Sequence, residues 1–498
     1  MIITELQQLY AAHPNVEGMY RLLQDNSVRH LYCSGLCASA ASLFSSVLIQ
    51  RVECPFVFIL GDLEEAGYFY HDLTQILGTE QVLFFPSSFR RAIKYGQKDA
   101  ANEILRTEVL SRLQKGEEGL CVVTYPDALA EKVVSRKELG EKTLKLHLGE
   151  KVDMDFVTEV LRSYSFEYVD YVYEPGQYAV RGSIIDVFSF SSEFPFRIDF
   201  FGDEVESIRT FEVESQLSKE KKENIVIVPD LSHSLEQRGN GGMVSFLDFL
   251  QPDTLLAMKD FLWLRERIQT VHDEALTAQA IAAREAEENG LISLDGKLID
   301  GGEFTLRALD FRRIEFGTKP TGTPDATVTF NTTAQPIFHK NFDLVAESFH
   351  DYLSRNYALY ICSDSLKQTE RIRAIFEDRG DNISFTSVER TLHEGFADDA
   401  LRLCIFTDHQ LFDRFHKYNL KSDKARSGKV ALSLKELNQF TPGDYVVHTD
   451  HGVGRFTGLV RIPNGDTTQE VMRLVYQNDD VVFVSIHSLH KVSKYKGK

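Results

Sequence analysis

Cys33-Ser34-Gly35-Leu36-Cys37-Ala38-Ser39-Ala40 closes a short apolar run and opens a helix pattern. In an α/β domain of the nucleotide-binding kind, this turn carries several glycines and then Gly-Lys-Ser/Thr. Backbone amides and one lysine there cradle the phosphates. Here one glycine remains and no lysine precedes the serine. Without that cation nothing balances the β- and γ-phosphates. No apolar strand of the region ends in an acidic pair suited to magnesium. The expectation is an α/β domain of that architecture with a degenerate nucleotide loop, of which Gly35 and Ser39 are the remnants.

Working outward, residues 26–130 alternate short apolar runs with helix patterns. The runs are Val28–Cys33, Phe56–Leu60, Val82–Phe85 and Leu120–Thr124. Between them Ala38–Gln50, Leu63–Leu77 and Ala100–Gln114 place apolar residues at helical spacing. Repeats of this length predict a parallel sheet with crossover helices. Gly61-Asp62 and Pro126-Asp127 read as strand-to-helix turns with N-cap chemistry. Leu31–Gln50 is uncharged and long enough to span a bilayer, but its five serines and two periods favour a strand followed by a helix.

The 498 residues hold 55 Lys+Arg against 74 Asp+Glu, a formal charge of −19. That length suggests roughly three domains or more. So large an acid excess excludes a wholesale polyanion binder, since DNA or an anionic membrane is repelled by the average field. Cys33, Cys37, Cys54, Cys121, Cys362 and Cys404 form no CxxC pair and have no Cys/His cluster behind them. Buried, reduced thiols in a cytoplasmic protein without a metal site are expected. Met1 is followed by Glu5, Gln7 and Gln8 rather than a basic and then apolar leader, so no signal peptide is expected.

From 152 to 215 the period changes. A helix pattern, Asp153–Ser163, precedes short alternating strands punctuated by Pro175-Gly176, Arg181-Gly182 and Gly202-Asp203. In Pro195–Phe201, Phe196, Ile198 and Phe200 point to one face and predict a core. Arg197, Asp199 and Phe201 point to the other, a partner surface or a solvated one. Residues 216–340 return to mixed α/β, with strands near Ile225–Val228 and Thr254–Met258 and a solvated, charge-rich helix from Leu262 to about Glu288. A smaller α/β pattern follows: helix Leu344–Ser354, strand Tyr357–Ser363, helix Leu366–Asp378 and strand Leu401–Thr407. Arg414–Val430, with Lys417, Lys421, Lys424, Arg426 and Lys429, reads as a basic, solvated tether. The final strands, Asp444–Thr449, Gly454–Ile462, Gln469–Tyr476 and Val481–Ile486, predict a small SH3-like barrel. Its turns are expected at Gly452-Val453-Gly454, Asn464-Gly465 and Asn478-Asp479, and Gly454–Ile462 offers an edge for strand addition.

Two stretches carry a family resemblance. Tyr173-Glu174-Pro175-Gly176-Gln177-Tyr178-Ala179-Val180-Arg181-Gly182-Ser183-Ile184-Ile185-Asp186-Val187-Phe188, followed by Arg197-Ile198-Asp199-Phe200-Phe201-Gly202-Asp203-Glu204-Val205-Glu206-Ser207-Ile208, resembles the UvrA-binding domain shared by UvrB and the transcription-repair coupling factors. Pro442-Gly443-Asp444-Tyr445-Val446-Val447-His448-Thr449-Asp450-His451-Gly452-Val453-Gly454-Arg455-Phe456 resembles the CarD-like RNA polymerase interacting domain of those factors. Their order resembles the amino-terminal half of the coupling factors. UvrB differs in having an intact Walker A loop and a tyrosine-rich hairpin, where this chain offers only Tyr95 after Phe85.

The resemblance implies a multidomain α/β and α+β layout. Residues 1–130 are a UvrB-like P-loop-type domain with a degenerate site, 131–215 the inserted α+β UvrA-binding domain, and 216–340 the second part of the α/β domain. Residues 341–412 are a small α/β domain, 413–432 a basic linker, and 433–498 the SH3/Tudor-like polymerase module. It further implies that an ATP-driven motor follows, holding the ATP, the magnesium and most DNA contacts, and that this stretch needs no cofactor and is not itself an enzyme. UvrA is expected to meet Arg181 and Arg197, supported by Asp199 and Phe201; arginines give forked bonds to acidic groups. Arg181→Ala or Arg197→Ala is expected to weaken UvrA capture while stability stays near wild type. The polymerase β subunit is expected to meet Leu459, Val460, Arg461 and Ile462. Alternation leaves open whether Leu459 faces the partner or the core. In the full-length family the UvrA surface is masked until the motor engages polymerase. A UvrB-type ATP-dependent excinuclease subunit and a CarD-like transcription regulator are the alternatives, separable by ATP affinity and by salt-sensitive DNA binding.

Overall fold

The computed structural model describes residues 1–88, 100–213, 215–231, 243–285, 296–416, 418, 420, 441–448, 451–464, 467–477, 480–485 and 492–495. The chain forms two compact units, one of residues 1–136 with 238–420, the other of residues 137–237 with 421–498.

The first unit is built on a seven-stranded parallel sheet. Its order is Ala326–Thr329, His30–Ser34, Arg312–Glu315, Leu255–Met258, Phe56–Ile59, Cys121–Thr124, Val82–Phe85. Phe56–Ile59, Val82–Phe85 and Cys121–Thr124 are buried at every position. A parallel sheet covered on both faces needs continuous apolar runs rather than alternation. Three strands come from beyond residue 250, so the sheet is completed only after the chain has left to build the second unit and returned.

Helix Leu63–Leu77 starts where expected, with the Asp62 carboxylate accepting the Glu65 amide at 2.9 Å. At Pro126 the expected N-cap chemistry is absent. The capping residue is Tyr125, without a side-chain bond, and Asp127 lies inside the helix, paired with Arg267 at 2.8 Å. The charge-rich stretch is also more than a solvated helix. Within Phe261–Glu285, Leu264, Ile268, Val271 and Ala275 form a buried stripe at helical spacing against helices Pro126–Ala130 and Gly301–Ala308. Among the described residues no helix is long and apolar enough to cross a membrane. Four of the six cysteines are buried, but Cys37 and Cys54 are half-exposed; all are unpaired.

The small domain of this unit is a five-stranded sheet in the order Thr332–Ala334, Phe396–Asp398, Leu403–Thr407, Ala358–Ser363, Thr386–Glu389, with helices Phe342–Ser354 and Leu366–Arg379. Val345, Phe349, Ile361, Ile372 and Phe376 fill its core. At the start of the expected tether, Tyr418 packs on Gly67, and Tyr68 Oη donates to the His416 carbonyl at 2.7 Å. Lys417 and residues 421–440 lie outside the described residues.

The second unit holds a six-stranded sheet in the order Ser218–Lys221, Glu204–Phe211, Phe196–Phe201, Ile184–Val187, Gln177–Arg181, Glu167–Tyr168. Its pairs are antiparallel except the last. Helix Met154–Ser163, capped by Asp153, places Val157 and Leu161 in a core with Ile185, Ile198, Val205 and Ile208. Strand Ser218–Lys221 lies past residue 215 and belongs to this sheet. Asn224–Ile227 pairs with Leu144–His147 in the same module.

The carboxy-terminal residues form an antiparallel sheet in the order Val481–Ser485, Thr467–Val475, Gly452–Asn464, Tyr445–His448, Val492–Lys494, around Val446, Phe456, Met472, Leu474 and Val484. Gly452-Val453-Gly454 is strand rather than the expected turn. His448 pairs with Gly452, so those residues already belong to the second strand. Gly454 is needed there because the Tyr476 ring lies against it. Asn478-Asp479 and Gly465 lie outside the described residues.

Candidate protein-docking surfaces

The face of the six-stranded sheet opposite its apolar core is organised around a carboxylate that sequence reasoning passed over. Asp186 is fully buried and takes a forked pair from Arg197, Nε to Oδ1 at 2.7 Å and Nη2 to Oδ2 at 2.9 Å. Arg181 Nη2 also donates to Asp186 Oδ2. Arg197 lies 4.5 Å over the Phe211 ring and donates to the Gln216 carbonyl at 3.2 Å. Its side chain is only 15% exposed, against 36% for Arg181, whose guanidinium stands 5.0 Å over Tyr171.

Arg197, expected to meet UvrA, spends Nε and Nη2 on Asp186 and Nη1 on the Gln216 carbonyl, so its truncation would strip a buried carboxylate of its main partner. The signal was in the quoted stretch, where Asp186 interrupts the apolar run Ile184-Ile185-Asp186-Val187. Asp199 accepts Ser183 Oγ at 3.1 Å and faces Arg209 at 3.6 Å. Phe201 projects from the rim of the Gly202-Asp203 turn at 77% exposure. A large ring so exposed has no core role. Phe201, half-exposed Arg181 and Asp199 form the outer layer, with Arg197 and Asp186 beneath.

In the terminal sheet, Thr467–Val475 pairs with the 452–464 strand from Asn464 to Arg455. On the other side Tyr445–His448 pairs only with residues 452–455. Among the described residues, 458–464 thus has an unpaired backbone edge, which begins at a register shift where Gly458 adopts φ 127°. Leu459 is exposed and Val460 half-buried. The side chains of Arg461 and Ile462 lie outside the described residues.

The Cys33–Ala40 turn is bonded to other parts of the same unit. The Cys37 amide donates to Thr332 Oγ1 at 3.0 Å and the Ser39 amide to the Glu394 carbonyl at 3.3 Å. Ser39 Oγ accepts the Glu394 amide at 3.0 Å. Gly35, at φ 79°, is required because any Cβ would meet the Phe330 carbonyl. Beside the loop a cleft of about 780 Å³ is walled by Asp62, Glu64, Glu65, Asp260 and Glu394, and its Lys259 is paired with Glu65. Asp72, buried under the loop, is pushed up to about 6 by desolvation although Ser42 and the His393 amide bond it. The Cys37 and Ser39 amides are thus paired within the chain, and the cleft beside them is walled by carboxylates.

Both surfaces present strand edges and outward side chains. Residues 144–233 match the family model for the UvrB interaction domain, and residues 440–496 that for the CarD-like/TRCF RID domain. Over 93% of its length the chain is similar to proteins named transcription-repair-coupling factor, at 22% identity in Bacillus subtilis (strain 168) and 23% in Staphylococcus aureus strains RF122 and USA300. The resemblance read from the two quoted stretches is thereby borne out. The chain spans 45% of the length of these relatives.

Proposed function

We propose that this chain is the adaptor portion of a transcription-repair coupling factor, bringing UvrA to stalled RNA polymerase. The observation that carries the reading is the presence, on one chain, of a UvrB interaction domain and a CarD-like/TRCF RID domain. Phe201 is the apolar anchor for UvrA, Arg181 the charge-assisted donor and Asp199 its support, while Arg197 acts by holding the sheet. The polymerase β subunit adds a strand along 458–464, with Leu459, Val460, Arg461 and Ile462 beside it. The terminal sheet curls into a small SH3/Tudor-like barrel that keeps this edge presented. The chain works by docking rather than catalysis and takes no nucleotide. ATP, magnesium and most DNA contacts belong to the motor of the whole coupling factor, a cytoplasmic machine.

A pull-down with purified UvrA and a β-subunit fragment tests this. Phe201→Ala is expected to lower UvrA affinity at least about tenfold, as loss of a hot-spot aromatic does, leaving β capture and melting temperature unchanged. Leu459→Asp is expected to do the reverse. Undiminished capture by both variants removes the assignment. Trp263, the single tryptophan of the chain, stands at the cleft with Nε1 3.4 Å from the Gly61 carbonyl and serves as a reporter for nucleotide. Its fluorescence is expected to stay flat up to millimolar ATP with magnesium. A saturable change would instead favour the UvrB-type subunit.

A further inference from the structure

Within the first unit, His416 and Tyr418, two residues of a strap that follows helix Asp408–Leu411, pack on helix Leu63–Leu77. The Tyr418 ring fills the space that a side chain at Gly67 would take, and Tyr68 holds the His416 carbonyl. Four imidazoles gather at this crossing. His71 comes from the helix, His393 from the loop before Phe396–Asp398, His409 from the short helix Asp408–Leu411 and His416 from the strap. His409 and His416 stack at 4.3 Å between ring centroids; His71 lies 4.9 Å and His393 6.0 Å from His416. Tyr68 stacks on His393 at 3.5 Å. His409 Nε2 reaches the His393 carbonyl at 2.7 Å, whereas His71 Nε2, His393 Nδ1 and His416 Nε2 are buried without a hydrogen-bond partner among the described residues. Among the described residues no group has the geometry of a metal site.

We propose that this crossing is a proton-sensitive latch: while the imidazoles are neutral they pack the strap onto helix 63–77, and their protonation releases it. Stacked, desolvated rings with unsatisfied nitrogens tolerate neutrality and not several like charges within 4–6 Å of one another. Burial is the main cause pushing His71 and His409 down to about 4 and His393 to about 3; it also lowers His416. The facing charges are few. Asp364 favours protonation of His71 and His416, and Asp408 that of His416. Arg414 opposes it at His409 and is held by Asp408 at 3.1 Å, while Asp408 Oδ1 itself stands 3.8 Å from His409 Nδ1. Glu394 stands 3.9 Å from His393, and Asp72 accepts the His393 amide.

The docked form therefore binds fewer protons than the released one. Docking is strongest above the ordinary histidine value of about 6.5 and is lost as pH falls from there toward 4. Each ring freed on release raises the opening constant up to about tenfold per pH unit, or about 25-fold from pH 7 to 5.

Hydrogen exchange of the whole chain, read on the peptide 408–420 and corrected for intrinsic rates, tests the latch. Protection at pH 7 is expected to fall at least about 25-fold at pH 5, and His416→Phe, which keeps a ring but cannot charge, to flatten that response. Gly67→Val is expected to open the strap at both pH values. Equal protection at pH 7 and 5, or an unchanged response in His416→Phe, overturns the proposal. Should the variant fold poorly, imidazole titrations of the wild-type chain decide: four rings titrating near 6.5 overturn it, and rings that stay neutral below pH 5.5 support it.

Discussion

Asp186→Ala is expected to cost the six-stranded module about 3–5 kcal/mol, enough to expose most of the 177–211 strands to hydrogen exchange. The reason is geometric. Asp186 is wholly buried and receives both Arg197 and Arg181, so its removal leaves the largely covered guanidinium of Arg197 without a counter-charge. Arg197→Ala follows the same logic with a smaller effect, since Arg181 remains on Asp186. UvrA capture should fall with both variants, but in step with loss of folding. Phe201→Ala, at a ring that is 77% exposed, separates recognition from stability because only capture should change. Native-like exchange protection in Asp186→Ala would show that the carboxylate is dispensable and return Arg197 to a purely recognitional role.

Gly35→Ala carries the second large effect. At φ 79° an L residue is strained, and the added Cβ would run into the Phe330 carbonyl. The 330 backbone cannot retreat cheaply, because the Phe330 ring packs 4.6 Å from Phe44 and 5.1 Å from His13. A loss of about 3 kcal/mol or more is expected, by the mechanisms that give the largest single-residue effects. Unfolding by urea, with exchange at 326–330 as the local readout, checks it. A melting temperature within error of wild type would contradict the close approach. The glycine that reads as a relic of phosphate binding thus holds a fold contact instead.

The parallel sheet and the two antiparallel modules were legible because their signals are local. Uninterrupted runs such as Phe56–Ile59 and alternation such as Phe196–Ile198–Phe200 depend on neighbours two to four residues away. Glycine positions and capping residues marked several ends, as Asp62 did. Where a local signal misled, as at Gly452-Val453-Gly454, the glycines lie inside the strand, one of them admitting the Tyr476 ring.

What no window of sequence contains is which distant group meets which. Ser39 and Glu394 are 355 residues apart and exchange two hydrogen bonds; Tyr68 and the His416 carbonyl are 348 apart. Whether Arg197 faces a partner or a buried carboxylate turned on how adjacent strands register, Arg197 opposite Asp186. A one-residue slip would have moved that side chain to the other face. Periodicity assigns a side chain to a face, but only the folded packing settles whether its charge or its amide is still available to an outside molecule.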